Sequence, residues 1–64
     1  MGYSYAEKLL TDAKSYDDYK AKAKVLKMAY NAAVTENNSD LIDDILKYAA
    51  YCGIDLSKVS GYDF

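Results

Sequence analysis

"YKAKAKVLK", residues 19 to 27, alternates polar and apolar side chains as a half-buried strand does. How it is read decides the fold class. Alanine is a poor strand former, and the alternation stops at Val25. Placed on a helix at ~100° per residue, the surrounding segment sorts into faces. Leu26, Tyr19, Tyr30, Ala23, Ala33, Val34 and Tyr16 share one face. Met28, Ala21, Ala32 and Val25 form a second apolar stripe, and Lys20, Lys24, Lys27 and Asn31 fill the polar gap. A helix with two apolar stripes can touch two neighbours. The spacing therefore predicts a central helix over 16–37.

The flanking segments supply those neighbours. Ser4 with Glu7 three residues later is a capping box, and a helix is predicted over 5–14. Its apolar side holds Tyr5, Ala6, Leu9, Leu10 and Ala13. Ser15 with Asp18 repeats the spacing and is read as the next start. "ENNSD", residues 36 to 40, offers Asn38 or Ser39 as the cap of a third helix over 40–52. Leu41, Ile42, Ile45, Leu46, Ala49 and Cys52 lie on one side of that helix. Gly53 then closes it in the left-handed conformation. Asp55 is placed to cap a short helix over 56–60, with Leu56 and Val59 closing the bottom of the core. The chain contains no proline to interrupt this pattern. The expectation is a single all-α domain over 1–64, a small three-helix bundle with a short C-terminal fourth helical turn.

Size and composition narrow the function. A chain of 64 residues buries only about 60% of its unfolded surface, so a lone core is marginal. Cys52 is the only cysteine and there is no histidine, which removes an internal disulfide and the commonest metal ligand. No cofactor is expected. Cys52 lacks a histidine base and reads as a small buried thiol. So short a chain has little room for a substrate pocket, and no enzyme is expected. No apolar run approaches the ~20 residues of a membrane span, and no basic leader opens the chain. A cytoplasmic setting without membrane contact is the expectation. The abundant Lys, Tyr, Asn and Asp use AT-rich codons, which fits a phage or other mobile element.

Eight tyrosines against one phenylalanine is the most informative imbalance. Buried hydroxyls need partners, whereas tyrosine suits surfaces that are wet when free and dry when bound. By the helical wheel Tyr51 projects among Asp40, Asp44 and Lys47, with Tyr48 at its edge. Asp40 and Asp43, with Asp44 beside them, also lie in the first turns of their helix, where acids stabilise it. Tyr62 and Phe64 on the tail are hard to bury in so small a domain. These seven residues, Tyr51, Tyr48, Asp40, Asp43, Asp44, Tyr62 and Phe64, are the predicted protein-binding set. The expected partner is a protein with a basic patch, and an inhibitor of a host protein would fit.

Two other classes compete. Ala49, Gly53 and Val59 have the spacing of a minimal helix-turn-helix, which would bind DNA as a dimer through Lys58 and the stripe Lys20, Lys24 and Lys27. The net charge of −2 and the single cation in the would-be recognition helix weigh against nucleic acid. A self-associating structural or assembly factor is the third class, with Ala21, Val25, Met28 and Ala32 as the seam of a homodimer.

Overall fold

The computed structural model describes residues 4–58. Within them the chain forms helix α1 (Tyr5–Ser15), helix α2 (Tyr19–Thr35), helix α3 (Ser39–Cys52) and a 3-10 turn (Leu56–Lys58). There is no strand among the described residues. The alternating stretch 19–27 is helical, and the fold is the expected small all-α bundle.

Local chemistry sets the ends of each helix. Ser4 Oγ accepts from the Glu7 N–H at 3.1 Å and starts α1. Helix α2 begins three residues later than the predicted 16. Its cap is Asp18, whose carboxylate accepts from the Ala21 N–H at 2.9 Å. Ser15 is instead the last residue of α1, and its hydroxyl donates to the Asp12 carbonyl at 2.7 Å. Tyr16 takes extended backbone and breaks the helix there, so α1 and α2 are separate. Asn38 rather than Ser39 caps α3, accepting from the Leu41 N–H at 3.2 Å.

Helices α2 and α3 end by the same device. Asn37 has φ 57° and Gly53 has φ 75°, both left-handed. After Asn37, the Asn38 N–H reaches the Ala33 carbonyl and the Asn37 N–H reaches Val34. After Gly53, the Ile54 N–H reaches Ala49 and the Gly53 N–H reaches Ala50. This paired closure satisfies carbonyls that a helix end otherwise leaves open. It also explains why α2 stops at Thr35, short of the predicted 37. The described part of the predicted helix 56–60 is a single 3-10 turn, with Asp55 Oδ1 accepting from the Ser57 N–H and hydroxyl. Residues 59 and 60 lie outside the described residues.

Helix α2 packs against both other helices, while α1 and α3 barely meet. That is the central role expected of it. Its two stripes are in fact one wide arc, because Ala29, absent from both, is fully buried between them. Alanines at 6, 13, 29 and 33 are all fully buried, which leaves room for α1 and α2 to approach closely. Leu26 and Ile45 are the largest fully buried side chains. Ile54 and Leu56 close the far end. At the other end the Ala6 N–H donates to the Glu36 carboxylate at 3.3 Å. An acid from the end of α2 thus meets the positive N-terminus of α1.

Five apolar-face assignments are corrected. Tyr5 is 62% exposed, and Tyr16, Tyr19, Val34 and Leu46 are also exposed. The three tyrosines sit at helix starts or in the α1–α2 link; Tyr5 and Tyr16 are left largely uncovered, and Tyr19 meets the end of α3 only through its hydroxyl. Leu46 lies at the edge of the α3 apolar side, beyond the cover of α2. The proposed seam residues Ala21, Val25, Met28 and Ala32 are half-buried, and the last three pack against the core.

Candidate functional site

Helix α3 presents its outer face to solvent. Asp40, Asp44, Lys47 and Tyr51 recur at the spacing of one helical stripe, and all four are exposed. Lys47 Nζ pairs with Asp43 Oδ2 at 3.1 Å, one turn apart. The Asp43 hydrogen bond and charge hold the Lys47 ammonium above the usual lysine pKa, with Asp44 adding to the effect. Asp40 and Asp44 form no ion pair among the described residues. Among the described residues no three His, Cys, Asp or Glu side chains gather to hold a metal ion.

Tyr51 is 87% exposed, the most exposed large hydrophobic side chain among the described residues. Its ring is not isolated. It lies 6.4 Å from the Tyr48 ring, inclined by 26°, within the range of favourable aromatic pairs. Tyr48 is half-buried and held from two other helices. Lys22 of α2 donates to its hydroxyl at 2.7 Å. The Lys22 ammonium is 5.1 Å from the ring centre. Together the two distances set it beyond the hydroxyl rather than over the face. Lys14 of α1 stands over the ring, 5.5 Å from its centre. Nearby, the Tyr19 hydroxyl donates to the Gly53 carbonyl at 3.0 Å. Four of the tyrosines, 16, 19, 48 and 51, thus lie on elements that meet where α1 ends, α2 begins and α3 ends.

Of the predicted set, the structure brings Tyr48 and Tyr51 together and places Asp40, Asp43 and Asp44 on the same helix. Tyr62 and Phe64 lie outside the described residues. Sequence reasoning missed the roles of Lys14 and Lys22. The signal for Lys22 was present, because it falls about 40° from Leu26 on the wheel, inside the apolar arc. A lysine there must find a partner.

The lysine stripe is only partly a free surface. Lys20 and Lys24 are exposed, but Lys27 is half-buried. Its ammonium donates to the Leu56 carbonyl at 3.1 Å and stands 5.4 Å from the Tyr30 ring centre. Of the helix-turn-helix positions, Ala49 is buried and Gly53 makes the turn, while Val59 lies outside the described residues. Lys58 is exposed at the end of the 3-10 turn. Cys52 is a half-buried free thiol. Compared with known proteins, the chain matches no protein-family model, no curated protein and no solved structure.

Proposed function

We propose that the chain is a protein–protein interaction module without chemistry of its own, and that the outer face of α3 is its binding surface. The carrying observation is Tyr51: a large, almost fully exposed ring, backed by Tyr48, on the stripe that also carries Asp40 and Asp44. Rigid aromatic side chains with a polar tip are the usual anchors of protein interfaces. Exposed carboxylates beside such an anchor steer the approach of a basic partner and add specificity more than affinity. An inhibitor of, or adaptor to, a larger protein with a basic patch fits this surface.

The test is capture from a cell lysate by the tagged protein, with and without nuclease, read by mass spectrometry. A protein retained after nuclease supports the reading. Capture of nucleic acid that vanishes with nuclease favours the helix-turn-helix instead, with Lys20, Lys24 and Lys58 as its contacts.

A further inference from the structure

The corner where the three helices meet is rich in donors and poor in acceptors. The Tyr48 oxygen already accepts from Lys22, so the hydroxyl proton is left to donate elsewhere. It donates no hydrogen bond among the described residues. Lys22 has two further N–H donors. Neither Lys22 nor Lys14 forms an ion pair with a carboxylate among the described residues, although acids outnumber lysines in the chain. Asp18, one turn before Lys22, directs its carboxylate to the Ala21 N–H. Two ammonium groups within 5.5 Å of one ring centre, with no negative charge paired to either among the described residues, make a locally positive spot on an acidic protein.

From this geometry we infer that Lys14, Lys22 and Tyr48 form a binding site for a small oxyanion, a carboxylate or a phosphate. The Tyr48 hydroxyl and Lys22 ammonium donate to its oxygens, and Lys14 supplies the second charge. Hydrogen bonds in which one partner is ionised are roughly twice as strong as neutral ones, and Lys22 and Tyr48 are half-buried, which reduces screening by water and salt. The site shares Tyr48 with the face that displays Tyr51, but its donors do not include Tyr51 and it does not depend on the α3 face being a protein interface.

Titration of the full chain with inorganic phosphate and with acetate, followed by amide NMR shifts, tests it. Sodium chloride at matched ionic strength is the control. Saturable shifts centred on residues 14, 22 and 48, absent with chloride, are expected. Lys22→Met keeps the aliphatic stem and should weaken binding at least five-fold, as should Tyr48→Phe. Acetate and phosphate saturating alike support a site for either oxyanion, and acetate alone supports a carboxylate. Phosphate alone supports a phosphoryl group. Shifts that merely track ionic strength, or binding that survives Tyr48→Phe and Lys14→Met, overturn the site. Lys14 is exposed, so its variant folds even if Lys22→Met does not.

Discussion

The Lys22 ammonium of α2 donates a 2.7 Å hydrogen bond to the Tyr48 hydroxyl of α3. It joins the start of the central helix to the end of the third, at the point where Tyr51 is displayed. Hydrogen bonds involving a charged group contribute about 1.5–3 kcal/mol when buried. This half-buried pair should be worth about 0.5–1.5 kcal/mol. A double-mutant cycle with Lys22→Met and Tyr48→Phe, read by urea unfolding, should return a coupling in that range. Additive losses would show that the bond does not stabilise the fold.

Ile45 and Leu46 are adjacent in sequence and opposite in environment. Ile45 is fully buried and Leu46 is 45% exposed. Ile45→Ala removes buried methyl groups and opens a cavity, at a cost of about 2–5 kcal/mol. In a domain this small that loss should leave much of the population unfolded at 25 °C. Leu46→Ala should cost less than about 1 kcal/mol. Circular dichroism of the two variants separates them directly.

Asn37 and Gly53 hold the same left-handed geometry with different side chains. No atom stands within 4 Å of where a Gly53 Cβ would be, so Gly53→Ala meets only backbone strain. The expected loss is about 1–2 kcal/mol. Asn37→Gly relieves the milder strain at the end of α2 and should raise stability by up to about 1 kcal/mol. Thermal melts of the two variants should move in opposite directions.

Asp55 binds the Ser57 hydroxyl and N–H, which hold its carboxyl below the usual aspartate pKa. A lowered folded pKa means the stabilisation is fully present above the unfolded value of 3.8 and is lost as pH falls through the folded value. The stability difference between the wild-type chain and Asp55→Asn should therefore be constant near neutral pH and change only in acid below about pH 4. Melts at pH 7, 4 and 2.5 measure this. A difference that changes between pH 7 and pH 5 would contradict the assignment.

The parts of the fold legible in the sequence are those decided within a few residues. Ser4, Asn38 and Gly53 act on backbone groups three to five positions away; Ser4 and Gly53 sit where their spacing put them, and Asn38 is one of the two caps the spacing offered for α3. The start of α2 was misread because Ser15 and Asp18 are both good caps, and Ser15 turns back onto α1. A wheel gives the direction of a side chain but not whether another helix stands there. Tyr5 and Leu46 point as expected and find no cover. The contacts furthest apart in sequence, Glu36 to Ala6 and Lys22 to Tyr48, had no local pattern to announce them. At the candidate site, the exposure of Tyr51 followed from the wheel. Its backing by Tyr48, and the lysines that hold Tyr48, came only from the three-dimensional arrangement.

The most direct measurement compares wild-type chain and Tyr51→Ala as baits in nuclease-treated lysate, quantified by mass spectrometry. Far-UV circular dichroism confirms equal helicity of the two. The account predicts a protein retained by the wild-type chain and reduced at least several-fold on Tyr51→Ala. Equal retention by both baits would contradict the assignment of α3 as the binding face.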